Sequence, residues 1–462
     1  SEAESCYRKA LALNPGYAEA LNNLGVALKA QGYLEEVEDA YRRAIDVKPG
    51  YVNAYNNLGA FLTDQGRSAE AEAIHRLVLE FDGKNSQTHN HLGCSLVNQG
   101  RSEEAIASFR SAMEFKPDFL SAHSNLLFAL NYGSNNFGSS MLEEAHRYGR
   151  TVTKLAKVPF TGWKCPAPPE RLRVGLVSGD FKMHPVGYFL DNVLAHIDKS
   201  RVDLIAYPTG RLEDAMTANM RKHFLEWNSI VDLDNEAAAN LIHADGIHIL
   251  IDLSGHTADN RLPIFGWKPA PVQASWLGYF ATTGVEQIDY LLATRIEVPD
   301  SNHHQFTESI CYLPETRLCF TAPQSDIPVS DLPAFASGRL TFGCFQNLSK
   351  VGDQVLDTWA RILSALPDAR LRFQCPNPGD AAREHLAERL QQFGFDSERV
   401  SIHAAVSRES YLAAHAEVDI ILDTFPYPGG TTTCEALWMG VPTLTLAGNT
   451  MVERQGASFL TV

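Results

Sequence analysis

Leu24-Gly25, Leu58-Gly59 and Leu92-Gly93 stand 34 residues apart, and Leu126-Leu127 continues the register. Gly32, Gly66 and Gly100 keep the same spacing, as do Tyr7, Tyr41, His75 and Phe109. Ala10, Ala44 and Ala112 hold a third repeated position, with Val78 in the remaining copy, and Pro15, Pro49 and Pro117 close their units. A fixed period of this length constrains the fold more than any composition does. Each unit is a helix pair with an apolar face that only a stacked neighbour can bury. Small residues recur where the helices must approach closely.

This period, with its small contact residues and closing Pro, is the tetratricopeptide signature. Residues 1–134 therefore read as an α-solenoid, a superhelix whose first unit is represented only by its second helix, residues 1–14. Such arrays take extended peptides or partner proteins on their concave face. Asn23, Asn57 and Asn125 occupy one repeated position, with His91 in the third copy. A row of amides offers donor and acceptor together, which suits a peptide backbone bound without regard to its sequence. The same residues also suit local capping or packing. The first residue falls inside a repeat and "GASFLTV" stops inside an α/β unit, so the expectation is a segment of a longer protein.

A chain of 462 residues is long enough for about three folding units. Its formal charge of −16 argues against a nucleic-acid partner, which calls for a basic surface. No apolar run is long enough to span a bilayer, and no signal-peptide pattern opens the chain. Eight scattered cysteines without a C-x-x-C pair fit a reducing, cytoplasmic setting. After Asn131 the repeat pattern fades into a helical linker, residues 135–170, which ends in the Pro-rich "KVPFTGWKCPAPPERL".

Two α/β series follow. The first, residues 171–335, carries strand-like runs from Leu172, Val202, Ile247 and Gln273; the second, residues 336–462, carries them from Leu340, Leu371, Val400, Asp419 and Pro442. Helical stretches between strands imply parallel sheets, hence two Rossmann-like lobes with a cleft between them. Ligands in such sheets sit beyond the carboxyl ends of the strands.

The loops at those ends hold the candidate residues. In "LDTFPYPGGTTTCEALWMGVP" a strand ends at Asp423 and Gly429 to Thr433 lead into a helix expected to begin near Cys434. Exposed N–H groups at a helix start form an anion site fit for a diphosphate, with Gly430 allowing close approach and Thr431, Thr432 and Thr433 adding hydroxyls. Glu435 is expected in the first turn, accepting from ribose hydroxyls. "TFGCFQNLSK" delivers Lys350, a cation able to stabilise a departing diphosphate. "SGDFKMHPVGYF" places His184 after the first strand, where an imidazole can act on an acceptor hydroxyl. His256 in "LSGHTADNR" follows another strand and is a second candidate, for sugar or acceptor. For either histidine a structural hydrogen bond is the competing assignment. No P-loop or zinc spacing is present, so no metal ligands are assigned.

Together these motifs, with "DGIHILIDLSGHT" and "KPAPVQASWLGY", resemble the O-GlcNAc transferase / SPINDLY family of protein glycosyltransferases along nearly the whole chain. The resemblance implies a GT-B fold after the superhelix, and inverting, metal-independent transfer from a nucleotide-sugar to Ser/Thr of proteins held along the groove. No cofactor beyond the donor is implied. It assigns His184 to the sugar and acceptor, Lys350 to the leaving diphosphate, Thr431 and Thr432 to the phosphates, and Glu435 to the ribose. Arg408 and Tyr411 in "AVSRESY", with the Val406 backbone, fall where the family holds the base. The chain departs from O-GlcNAc transferases at Gly430, where they carry His, and at Asn347, where they carry Gln. "LDTFPYPGGTTTCE", "SGHTADN" and "TFGCFQNLSK" look closer to the SPINDLY branch. UDP-GlcNAc is the donor by family frequency, GDP-fucose the alternative. A superhelical scaffold with a vestigial transferase domain is the competing class of function.

Overall fold

The computed structural model describes residues 2–133, 138–323, 326–375 and 380–462. Eight helices build the superhelix: α1 (Glu2–Leu13), α2 (Ala18–Gln31), α3 (Leu34–Val47), α4 (Val52–Asp64), α5 (Ser68–Phe81), α6 (Ser86–Asn98), α7 (Ser102–Phe115) and α8 (Leu120–Ala129). The repeated residues explain their packing. A Cβ on Gly25, Gly59 or Gly93 would lie 2.5, 2.3 or 2.4 Å from the ring of Tyr41, His75 or Phe109. Only glycine lets the aromatic residue of one helix press on its partner's backbone. The first helix of each pair ends where Gly32, Gly66 and Gly100 take φ of +81°, +76° and +74°, the left-handed turn that glycine adopts without strain.

The asparagine row is partly spent within the array. Asn57 Nδ2 donates to Asn22 Oδ1 at 2.8 Å, and Asn125 Nδ2 to Asn90 Oδ1 at 2.9 Å. These amides lock successive units together, because the first three repeats place a second, buried Asn (Asn22, Asn56 and Asn90) one residue earlier.

Helix α9 (Gly138–Leu155) occupies the linker region and is firmly packed. Ala145, Tyr148, Val152 and Ala156 enter one apolar cluster with Phe109, Leu126 and Leu127 of the superhelix and with Ile205, Leu250 and Phe265 of the first lobe. Gly149 lies so close to that lobe that a Cβ would sit 1.8 Å from the Gly284 carbonyl oxygen.

The first lobe is a seven-stranded parallel sheet: β1 (Leu172–Ser178), β2 (Val202–Pro208), β3 (Glu226–Trp227), β4 (Ile249–Asp252), β5 (Val272–Ser275), β6 (Tyr290–Ala293) and β7 (Ser309–Tyr312), ordered 3-2-1-4-5-6-7. The second lobe holds β8 (Thr341–Cys344), β9 (Arg370–Gln374), β10 (Val400–His403), β11 (Ile420–Leu422) and β12 (Thr443–Leu444), ordered 10-9-8-11-12. All pairings are parallel. Strands β3, β6 and β7 were not among the sequence-based expectations. In each lobe the chain builds outward from one strand, then returns and builds the other way. The strand order reverses between β1 and β4 and again between β8 and β11, and crevices at such reversals bind ligands. Among the described residues no helix is long and apolar enough to cross a membrane.

Candidate functional site

Both reversals open on one cavity of about 600 Å³ between the lobes, within the range of small-molecule sites. From the second lobe come the β8 loop, with Gln346, Asn347 and Lys350, and the β11 loop, with Tyr427, Gly430, Thr431, Thr432 and Glu435. From the first lobe come His184, Tyr188, Thr257 and Phe280, and from the superhelix Phe128. Val406, Arg408 and Tyr411 line a further wall. Thus His184, Lys350, Asn347, Val406, Arg408, Tyr411, Gly430, Thr431, Thr432 and Glu435, chosen from sequence, converge on one space.

Asp423 organises the β11 loop from beneath. Its carboxylate accepts from Gly429 N at 2.7 Å, Thr424 N at 3.0 Å, Thr445 Oγ1 at 2.9 Å and Gln346 Nε2 at 3.2 Å. Gln346 in turn accepts from Thr432 Oγ1 at 3.0 Å, so one buried acid ties both loops into a single wall. Sequence reasoning passed over Gln346; its signal was its place directly after a strand, beside Asn347. Asn347 itself accepts from Ser349 N at 3.1 Å and caps the turn that presents Lys350.

The helix expected near Cys434 starts three residues earlier and spans Thr431–Trp438, with Gly430 as its N-cap. Gly430 ends the turn, so all three threonines fall in the first helical turn and Glu435 moves to the second. Among the described residues the N–H groups of Thr431 and Thr432 have no protein acceptor, and neither does the buried Thr431 hydroxyl. Unsatisfied donors at a helix N-terminus suit an anionic ligand. Thr433 is a correction: it is fully buried, with its Oγ1 inside the lobe beneath Gly429 and away from the cavity lining.

Lys350 Nζ donates to the Pro428 carbonyl at 2.8 Å and lies 4.0 Å from the centroid of the Tyr427 ring. Burial pulls its pKa down to about 8, against the opposing attraction of Asp423. Glu435 is 2 % exposed and forms an ion pair with Arg408 at 2.5 Å. Burial raises its carboxyl above the usual range, while Arg408 and a hydrogen bond with Tyr411 act the other way. Arg408 also stacks 4.5 Å over the Tyr188 ring, so it spans the cavity mouth from one lobe to the other.

His184 caps α10 (Pro185–His196): its Nδ1 accepts from Val186 N at 3.3 Å. That bond requires an unprotonated Nδ1, which puts the ring proton of the neutral form on Nε2. Burial lowers the His184 pKa, with Asp180, 3.5 Å away, pulling upward and Lys182 downward. His256 is the second correction. It is 1 % exposed and does not line the cavity. Its Nε2 donates to the Thr283 carbonyl at 3.0 Å and its Nδ1 accepts from Ser124 Oγ at 2.7 Å, which fastens the superhelix to the first lobe. Both nitrogens are occupied, so it has none to offer a sugar. No cluster of three or more metal-ligating side chains exists among the described residues.

The profile of glycosyl transferase family 41 matches residues 141–322 and 331–462, and tetratricopeptide profiles match segments between residues 1 and 119. The chain is 37 % identical over 352 residues, 75 % of its length, to a probable UDP-N-acetylglucosamine–peptide N-acetylglucosaminyltransferase SPINDLY of Arabidopsis thaliana, of which it covers 38 %. To the SEC protein of the same plant, described by the same activity, it is 28 % identical over 63 % of its length and 30 % of the relative's. A solved Thermobaculum terrenum O-GlcNAc transferase mutant superposes with a TM-score of 0.89 at 33 % identity, over 96 % of this chain and 85 % of the other. The chain thus spans well under half the length of the curated relatives it matches.

Proposed function

The chain belongs to glycosyl transferase family 41, and from that premise we propose that it transfers a sugar from a nucleotide-sugar to Ser or Thr hydroxyls of proteins held along the superhelix. The observation that carries this reading is the wall built by the two reversal loops. There an ammonium, an unpartnered Thr hydroxyl and two orphan helix N–H groups converge opposite His184. Such donors stabilise charge that develops on a leaving diphosphate, each lowering the barrier by about 2–4 kcal/mol.

In the proposed step an acceptor oxygen bonds to the sugar C1 as the bond from C1 to the diphosphate oxygen breaks. The electron pair leaves on the diphosphate, facing Lys350, Thr431 and Thr432, and the transfer inverts C1 without a metal. His184 presents Nε2–H in its neutral form, so it holds a sugar or acceptor oxygen as a donor, and the acceptor proton passes to a phosphate oxygen. Glu435, freed from Arg408, receives the ribose hydroxyls, and the Val406 backbone with Arg408 and Tyr411 surrounds the base.

UDP-GlcNAc is the proposed donor, on the names its relatives carry. Gly430 and Asn347 favour testing GDP-fucose beside it. The experiment is calorimetric titration of the full chain with UDP and GDP, followed by transfer assays with both sugar donors. Binding and transfer with the UDP series are expected, and Lys350→Met is expected to abolish transfer while the circular dichroism spectrum is retained. A folded Lys350→Met protein that still transfers would remove the role given to this lysine. A chain that binds neither nucleotide would leave a scaffold.

A further inference from the structure

The surroundings of Lys350 are contributed by three parts of the chain. The face of the Tyr427 ring lies under the ammonium at 4.0 Å, and the ring is 8 % exposed. Three aromatic neighbours wedge it: Phe280 of the first lobe at 5.1 Å, and Tyr132 and Phe128 of the superhelix end at 4.8 and 6.4 Å between centroids. Tyr132, Ser349, Lys350 and Tyr427 also share the wall of a second cavity, of about 280 Å³, between the superhelix and the second lobe. Two of the three rings that hold Tyr427 therefore come from the element assigned to acceptor binding.

An ammonium gains from an aromatic face only while distance and orientation are kept, and the gain is larger when water is excluded. A ring free to tilt would surrender both. Edge-to-face and tilted contacts fix a ring in the way observed here.

We propose that Phe128 and Tyr132 are positioning residues for Lys350: by clamping the Tyr427 ring they hold the ammonium against the donor cavity, so the superhelix contributes to donor activation even when no acceptor is bound. The inference rests on the reading of the cavity as a nucleotide-sugar site. It gives a consequence that peptide binding would not. Acceptor-free hydrolysis needs the same departure of the diphosphate: a water oxygen bonds to C1, the C1–O bond to the diphosphate breaks with its electron pair, and one water proton passes to solvent. This reaction should depend on Tyr132 although no peptide occupies the groove.

The test uses the full chain with Tyr132→Ala, Tyr132→Phe and Phe128→Leu, each checked for retained fold by circular dichroism. Two quantities are read: the pH dependence of Lys350 acetylation by trace acetic anhydride, followed by mass spectrometry, and kcat and KM for acceptor-free hydrolysis of UDP-GlcNAc. For Tyr132→Ala water reaches the ammonium and relieves the burial that lowers its pKa, which outweighs the lost ring contact, so the acetylation midpoint is expected to rise toward that of an ordinary lysine, and kcat to fall about tenfold with KM changed less than twofold. Tyr132→Phe, which keeps the ring, should recover most of both, and Phe128→Leu should shift both in the direction of Tyr132→Ala. If folded Tyr132→Ala and Phe128→Leu leave the midpoint and the hydrolytic kcat unchanged, or lose only transfer to peptide, the positioning role is overturned. If Tyr132→Ala does not fold, the same readings on Phe128→Leu decide. If the wild type neither binds UDP nor transfers from UDP-GlcNAc, the donor assignment fails by itself, while the acetylation midpoints still decide whether the superhelix positions Lys350.

Discussion

The two polar side chains that face each other across the cavity have both had their charged forms disfavoured by burial. Lys350 comes down to about 8, so at neutral pH it remains mostly the ammonium that the proposed transfer requires. His184 is lowered from an already near-neutral value and is an uncharged donor at the same pH. In the free enzyme, kcat/KM is therefore expected to fall as pH rises through about 8. The fall in kcat should come later, because a bound diphosphate favours the ammonium. Initial rates between pH 6 and 10 check this; an alkaline limb near that of an ordinary lysine would contradict the buried setting described for Lys350. The histidines show where sequence reading stopped. His184 and His256 both follow strands of the first lobe and look equivalent in the chain. They differ because Ser124 and Thr283 converge on His256 from 132 positions before it and 27 after it, and no local pattern records that.

At the scale of the element, the repeats obey one rule, a ring pressed on a glycine, and His75 obeys it poorly. It holds the position of Tyr41 and Phe109, is fully buried, and neither ring nitrogen has a hydrogen-bond partner among the described residues. Burial drops its pKa to about 3, with repulsion from His91 adding to the effect. Below its ordinary value of about 6.5 the unfolded chain binds a proton that the folded chain refuses, so the stability contributed here is lost as pH falls. At pH 5 the loss is roughly 2 kcal/mol. His75→Phe is expected to raise urea stability at pH 7.5 and to raise it further at pH 5. Equal gains at the two pH values would show that the imidazole titrates freely. The strands divide by the same logic of local signal. Long apolar β1 and β2 were legible, whereas β3 has two residues and β6 and β7 lie toward one edge, where neighbours decide pairing. The helix after β11 was misplaced by three residues because Gly430 ends the turn before the threonines, not after them.

Across the whole molecule, superhelix, α9 and first lobe share one apolar cluster that runs from Leu92 to Ile288. The repeats are thus part of the folding unit that carries half of the cavity. Gly149→Ala, whose new Cβ would meet the Gly284 carbonyl at 1.8 Å, forces α9 off the lobe. Overpacking of this kind costs about 1–3 kcal/mol. Hydrogen exchange should show the last repeats and the first lobe losing protection together; weakening confined to α9 would mean that the shared cluster does not unfold as one. What the sequence determined by itself was whatever a local demand repeats or orders: the helix pairs and their glycines, the two parallel α/β series, and the loops after their strands. What only the tertiary structure decided was which side chains from distant segments meet. It sent Thr433 and His256 inward, let Asp423 and Gln346 join the two loops, and set Phe128 and Tyr132 of the superhelix around the ring that carries Lys350. Periodicity and turn chemistry act within a few residues, whereas those contacts depend on how whole elements dock, and docking is settled by the summed burial of faces that no single motif contains.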